Sequence, residues 1–213
     1  MAELILLRHS TTRGNLEGRY IGCRTDEPLS SEGIRLLKGR TYPAVDQIYT
    51  SPMKRCVETA QVIWGDGGQI PITKVFGLQE CDFGDFENKN YEELNGDPAY
   101  QAWIDSGGTL PFPKGESTEA FKKRCQEGFE RLIIQIQAKE QQRKKESKDQ
   151  VCTPFRAALV VHGGTIMAIL EHFGDPKKHY FDYQVKNGCG YVLTPVEGTK
   201  LWNYQCLPWG WDF

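Results

Sequence analysis

The apolar run Leu4–Leu7 is unbroken, and the next two positions are Arg8 and His9. A short run without polar alternation predicts a strand buried on both faces, as in a parallel sheet. In "EPLSSEGIRLLKG" the pattern changes to helical spacing: Ile34 and Leu37 share a face, Ser30 or Ser31 stands at the N-cap position, and Gly39 lies near the end. "VDQIYT" predicts a second strand. "SPMKRCVETAQVIWG" predicts a helix with Ser51 as N-cap, Pro52 at the first helical position and Gly65 as its stop. "IPITKVFGL" reads as a third strand, with Phe76 as its last residue. Residues 82–115 turn rich in Asp, Glu, Gly and Pro around short helical pieces, "NYEELNG" and "PAYQAWI", and predict an inserted cap. From Ser117 to about Ser147 the residues Phe121, Cys125, Phe129, Leu132, Ile133 and Ile136 make one apolar stripe of a long helix. Its tail, "KEQQRKKESKDQ", has no apolar face and reads as solvated. "FRAALVVHGG" is another buried strand, "TIMAILEHFG" a helix, and "GCGYVLTP" and "KLWNYQCL" a closing pair of strands. The alternation predicts an α/β fold: a single three-layer α/β/α domain over 1–213 with a mostly parallel central sheet and a small cap at about 82–115.

Composition narrows the function. At 213 residues the chain can bury a sizeable core, and a formal charge of −2 lacks the basic excess of a nucleic-acid binder. No apolar run is long enough for a membrane span, and the N-terminus has no signal-peptide pattern. The seven cysteines are scattered without a CxxC pair, which predicts free thiols in a cytoplasmic protein. No His/Cys/Asp/Glu set has metal-ligand spacing, so neither a metal nor another cofactor is expected. Asp26, Glu27, Asp82 and Asp85 read as turn and surface residues, His172 and His179 as structural or surface ones. The C-terminal "LPWGWDF" is too aromatic to stand exposed; it predicts a tail packed on the core, on the site entrance or on the partner in a homodimer.

The chemistry gathers at strand ends. Two buried strands each end in a histidine, His9 and His162, and ligands of open α/β sheets sit beyond the carboxyl ends of their strands. Arg55 falls in the first turn of the helix after the second strand, where an arginine is unfavourable unless an anion lies against it. Glu80 comes after the third strand, but spacing does not single it out from its acidic neighbours.

Taken together, "RHSTTRGN", "GRYIG", "DEPLSSEG", "SPMKRCVETA", "LQECDFGDFE", "PKGES" and "VVHGG" resemble the histidine phosphatase, or phosphoglycerate-mutase-like, superfamily, in the family's order from Leu4 to about Leu170. The resemblance implies that fold. It implies that His9 takes the phosphoryl group, that Arg8, Arg55 and His162 bind the phosphate, and that Glu80 is the general acid. Asn15 and the backbone near Gly163 would add hydrogen bonds, and water would then hydrolyse the phosphohistidine. Elementary chemistry agrees: arginine forks match phosphate oxygens, a neutral imidazole is a competent nucleophile, flanking guanidiniums favour its neutral form, and a leaving alkoxide needs a proton. Two positions depart from the family pattern. Ser10 and Thr11 stand where the family has Gly and often Glu or Gln; Ser10 adds a side chain where the loop turns over the phosphate, and Thr11 removes a charge near the entrance. Residues 81–113 hold Lys89 as their only basic residue against seven acidic ones, a poor lid for a small, highly anionic substrate. A phosphatase acting on a small-molecule phosphomonoester is therefore favoured over a phosphoglycerate mutase or a non-catalytic phosphate-binding module. Among the family's phosphatases the motifs look most like those of α-ribazole phosphatases, and Trp103 is placed either to stack a base or to fill the core of the cap.

Overall fold

The structure, a computed structural model, describes residues 2–65, 70–146 and 154–207. Among the described residues one sheet of seven strands runs β3-β2-β4-β1-β6-β7-β5, comprising β1 (Glu3–Arg8), β2 (Gln47–Thr50), β3 (Ile72–Lys74), β4 (Arg156–Val161), β5 (Gly174–Asp175), β6 (Gly190–Pro195) and β7 (Trp202–Cys206). β1, β4, β2 and β3 are mutually parallel; β6 lies antiparallel on β1, and β7 on β6. β1 pairs in register with β4 from Glu3↔Arg156 to Arg8↔Val161, so both strands end at the same level.

The unbroken run in β1 serves both faces. Leu4 and Leu6 enter a core with Phe121, Phe129 and Leu132 of α6 (Thr118–Glu146) and Ile166 and Ile169 of α7 (Gly163–Phe173). Ile5 and Leu7 enter the opposite core with Cys56 and Ala60 of α3 (Lys54–Trp64), on which α2 (Ser31–Lys38) packs. All four side chains are fully buried. At about 1.5–3 kcal/mol each by transfer from water, they hold the strand rigid beneath whatever its end carries. The three-layer α/β/α reading is thus the observed architecture. No helix among the described residues is long and apolar enough to cross a membrane.

Of the two candidate serines Ser30 caps α2, accepting from the Gly33 N–H at 3.0 Å. Several other local expectations are corrected. α3 begins at Lys54 rather than Pro52, and Ser51 is not its cap; the Asp26 carboxylate accepts from the Lys54 N–H at 2.6 Å instead, so Asp26 is a capping residue. The third strand is cut short: β3 ends at Lys74 and Phe76–Leu78 form a 3-10 turn, with Phe76 exposed and only Leu78 buried. β5, two residues long, has no signature in the sequence. The long helix is described as far as Glu146, and the part of the basic tail up to there is mostly exposed, as expected. The aromatic C-terminus beyond Leu207 and the end of the basic tail lie outside the described residues.

Residues 82–115 carry α4 (Tyr91–Leu94) and α5 (Pro98–Asp105), capped by Asn90 and Asp97. Phe83, Phe86, Tyr100, Trp103 and Phe112 pack against one another and around Tyr20, with Tyr20 edge-on to Trp103 at 6.1 Å between ring centroids. Trp103 meets Tyr100 nearly parallel at 6.2 Å and Phe112 at 5.1 Å. Trp103 is therefore packed into the aromatic core of this segment and also lines the adjoining cavity.

Candidate active site

The sheet pairing brings the two histidines together. The His9 N–H continues the ladder to the Val161 carbonyl at 2.8 Å, and the His9 and His162 rings meet edge to face, 5.2 Å between centroids. β2 ends at the same level, where the Ser51 N–H donates to the Val160 carbonyl at 2.9 Å. Side chains from the ends of three parallel strands therefore converge, and the helix after one of them supplies Arg55.

Hydrogen bonding distinguishes the histidines. His9 Nδ1 lies 2.7 Å from the Ser10 carbonyl, which can only accept, so Nδ1 carries the proton and Nε2 keeps its lone pair. His9 also lines a cavity of about 510 Å³. His162 is the opposite tautomer. Arg55 Nε can only donate, and it meets His162 Nδ1 at 3.3 Å; His162 Nε2 then donates to Ser51 Oγ at 2.8 Å. Burial pushes both imidazoles well below their usual range, and Arg55 and Arg8 push the same way. Both rings are neutral at pH 7.

Arg55 is fully buried, and its other bonds run to backbone: Nη1 donates to the Thr25 carbonyl at 2.8 Å and Nη2 to the Gly22 carbonyl at 3.0 Å. It lies with His162 behind His9, and neither lines the cavity. Arg8 does line it. Its Nη1 donates to the Val185 carbonyl at 2.7 Å, whereas its buried Nε has no protein partner. An unsatisfied guanidinium N–H beside a cavity is a donor awaiting an acceptor. Arg8 packs over Gly163, 3.4 Å from where a Cβ would stand.

Glu80 comes from the other side. Its Oε1 accepts from the Cys81 N–H at 2.9 Å and its Oε2 from the Gly164 N–H at 3.0 Å. Burial raises its carboxyl above the usual range despite those donors and the nearby Arg55 and Arg8 charges. Asn15 lines the cavity from the third position of a four-residue helix, α1 (Arg13–Leu16), capped by Thr12. Its Oδ1 accepts from Asn187 Nδ2 at 3.2 Å, and Asn187 Nδ2 also reaches the His9 carbonyl at 3.1 Å.

The expected residues Arg8, His9, Asn15, Arg55, Glu80, His162 and Gly163 thus fall in one place, Arg55 and His162 in its back wall. Ser10 differs from expectation. Its side chain points away from the cavity, where Oγ donates to the Gly33 carbonyl at 2.8 Å, while its N–H donates to Thr59 Oγ1 at 2.9 Å. A serine fits there because the hydroxyl completes a buried bond to α2. Thr11 is bound through its backbone, its carbonyl accepting from the Ser30 N–H at 2.9 Å. Ser51, Asn187 and Arg124 carry no clear signal in the sequence. Ser51 suits a helix cap, Asn187 sits in an ordinary Asn-Gly turn pattern, and Arg124 lies on a helix surface rich in charge.

Known proteins resemble this chain over most of its length. A family model described as histidine phosphatase superfamily (branch 1) matches residues 4–205. The adenosylcobalamin/alpha-ribazole phosphatase of Escherichia coli is 27% identical over 88% of this chain and 87% of its own. A 2,3-bisphosphoglycerate-dependent phosphoglycerate mutase of Bacteroides fragilis is also 27% identical, over 87% of this chain and 81% of its own. The crystal structure of the alpha-ribazole phosphatase from Shigella flexneri superposes with a TM-score of 0.71 at 24% identity, covering 96% of this chain and 95% of that one, a likeness of fold. The family match begins inside β1 and ends inside β7, so it spans the sheet that places the two histidines, and the chain belongs to the histidine phosphatase superfamily.

Proposed function

We propose that this protein is a phosphomonoesterase that works through a phosphohistidine on Nε2 of His9. The observation that carries the reading is the tautomer: Ser10 holds the Nδ1 proton, so Nε2 of a neutral imidazole keeps its lone pair on a residue that lines the cavity together with Arg8, whose Nε–H has no protein partner. In the proposed reaction a phosphate seats its oxygens on Arg8, on the Asn15 amide and on the N–H of Gly163. Arg55 and His162 close the site from behind, Arg55 adding its positive charge. Nε2 attacks phosphorus as the ester oxygen departs. Glu80, whose carboxyl burial raises above its usual range, is the acid that gives its proton to that oxygen. The resulting carboxylate takes a proton from water as the water attacks the phosphohistidine, which releases phosphate and restores both groups. Guanidinium charge and hydrogen bonds supply the stabilisation, so the reaction as proposed calls on no metal ion.

The cavity favours a small organic phosphate with an apolar body. Tyr20, Phe83, Trp103, Phe112, Phe121 and Met167 line it beyond Arg8 and His9. Two similar proteins bear the name alpha-ribazole phosphatase, and α-ribazole 5′-phosphate, a nucleotide-like monoester, is the substrate we propose first. Residues 82–115 are its cap, in a cytoplasmic enzyme whose six described cysteines are free thiols. The similar mutase makes phosphoryl transfer to phosphoglycerate the second reading. Charge disfavours it: of the other cavity-lining cations, Arg19 is paired with Glu17 and Glu93, and Lys122 with Glu171, leaving little free positive charge for a carboxylate.

Hydrolysis of p-nitrophenyl phosphate in EDTA tests the reading. Wild-type protein releases phosphate and, quenched in alkali during turnover, carries acid-labile phosphate on His9; His9→Ala does neither. Turnover by His9→Ala at the wild-type rate would sink the mechanism. A coupled assay that finds phosphoglycerate isomerised faster than it is hydrolysed would favour the mutase.

A further inference from the structure

The sheet that aims His9 and His162 does not aim Glu80. β3 stops at Lys74, and a 3-10 turn at Phe76–Leu78 leads into the extended Gln79 that precedes Glu80. The strand pairing stops at Lys74, opposite Thr50, so the residues from Phe76 to Glu80 belong to no strand ladder. An unpaired segment of this kind should wander by more than a proton transfer tolerates.

Arg124, on α6, takes the place of the missing strand. Its Nη1 donates to the carbonyls of Gly77 and Gln79, each at 3.1 Å, and its Nη2 donates to the carbonyl of Glu80 itself at 3.3 Å. The rest of the guanidinium is held by a bidentate pair with Glu116, Nε to Oε1 at 3.0 Å and Nη2 to Oε2 at 2.8 Å. These bonds account for all five N–H donors of the guanidinium, so none is left for a substrate. Glu116 is fixed in turn, its N–H donating to the Asp82 carbonyl at 2.9 Å. The clamp thus grips the chain on both sides of Glu80. Both side chains are mostly buried, where a forked ion pair loses less to solvent than it would on the surface.

We infer that Arg124 and Glu116 are positioning residues for the general acid: they touch no substrate, and they fix the backbone that carries Glu80 so that its carboxyl meets the leaving oxygen. The inference rests on the reading of Glu80 as the acid. The glutamate of "PKGES" and the arginine two helical turns further on are then one device.

Leaving groups separate this from a general structural role. A nitrophenolate departs without a proton, whereas a primary alkoxide does not. A mis-aimed acid therefore lowers turnover of a primary alkyl phosphate more than turnover of p-nitrophenyl phosphate. The ratio of the two rates is the readout, because a partly unfolded preparation lowers both alike. Glu80→Gln should lower the alkyl-to-aryl ratio by about 100-fold, within the usual contribution of a general acid, and Arg124→Gln by about tenfold. Glu116→Gln, which leaves Arg124 its backbone carbonyls but loosens its anchor, should lower the ratio in the same direction and stands in if Arg124→Gln does not fold. A ratio unchanged in Arg124→Gln and Glu116→Gln but lowered in Glu80→Gln overturns the inference and leaves Glu80 as the acid. A ratio unchanged in Glu80→Gln removes the acid and the inference with it.

Discussion

Replacing Gly164 by alanine tests how tightly the general acid is held. Gly164 is the second residue of α7, and its N–H is one of the two backbone donors on Glu80. A Cβ there would stand 2.4 Å from Glu80 Oε1 and 3.2 Å from Phe121 Cζ. Ordinary contact starts near 3.4 Å, so the carboxyl must retreat by 3.4 − 2.4, about 1 Å. That shift stretches its bonds to the Gly164 and Cys81 N–H groups, now 3.0 and 2.9 Å, past useful length. The obstructing atom is the end of a flexible side chain, so the fold need not yield. Alanine also suits a helix better than glycine by up to about 1 kcal/mol. The expected variant is therefore folded, with a melting temperature close to wild type, and about 100-fold slower on an alkyl phosphate, the usual consequence of misplacing a catalytic group by about 1 Å. Steady-state rates and a thermal melt on one preparation suffice. Wild-type kcat on the alkyl substrate would refute the placement of Glu80 as the acid; a collapsed melting temperature would refute the claim that the side chain, and not the backbone, gives way.

Gly33→Ala should do the reverse and cost stability. Its Cβ would fall 2.2 Å from the Thr11 carbonyl oxygen, a backbone atom with nowhere to go. Overpacking of this kind costs about 2 kcal/mol, or about 4–8 °C of melting temperature for a domain of this size, and an unchanged melt would contradict the close approach of α2 to the His9 loop. Stability should also fall in mild acid. His9 and His162 are both held below the ordinary value of 6.5, so beneath that pH the unfolded chain binds protons the folded chain refuses. The stability they contribute is complete above 6.5 and is lost as pH falls through their lowered folded values. Glu80, raised above 4.5, acts in the opposite sense, favouring the fold as pH drops through its own folded value. Urea midpoints at pH 7.5 and 5.5, measured in a Glu80→Gln background that removes the opposing carboxyl, read the histidine effect, and a higher midpoint at pH 5.5 there would show that the histidines are not buried neutral.

Much of this site is legible because buried parallel strands announce themselves as apolar runs, and the residue after such a run must sit at the sheet edge. Leu4–Leu7 locates His9, and Ala157–Val161 locates His162, on that ground alone. Glu80 is legible only through family resemblance. No strand delivers it, and the segment that does is a 3-10 turn stabilised by an arginine 44 residues away in sequence. Ser51 illustrates a second limit. Its place before a proline and a helical pattern suits a cap, but its hydroxyl bonds to His162, and Asp26 caps the helix from a distant loop. Local propensity cannot show which of two satisfied hydrogen bonds the tertiary structure will prefer.

The matched grammar of the two strand ends hides an asymmetry that decides the chemistry. Each histidine stands just past a buried strand, and each is neutral, but only His9 has a nitrogen left over. His162 accepts from Arg55 through Nδ1, and it can do so only while uncharged, since protonation would set an N–H against an N–H. Arg55, by lying there, lowers the proton affinity of both rings and so preserves the condition for its own hydrogen bond. The same guanidinium ties down the Gly22 and Thr25 carbonyls. A variant such as Arg55→Lys would keep the positive charge but could not make three bonds in fixed directions, and the loop and His162 would be freed together. The back wall is therefore one coupled unit in which charge state and geometry sustain each other, and His9 owes its free lone pair to it as much as to Ser10.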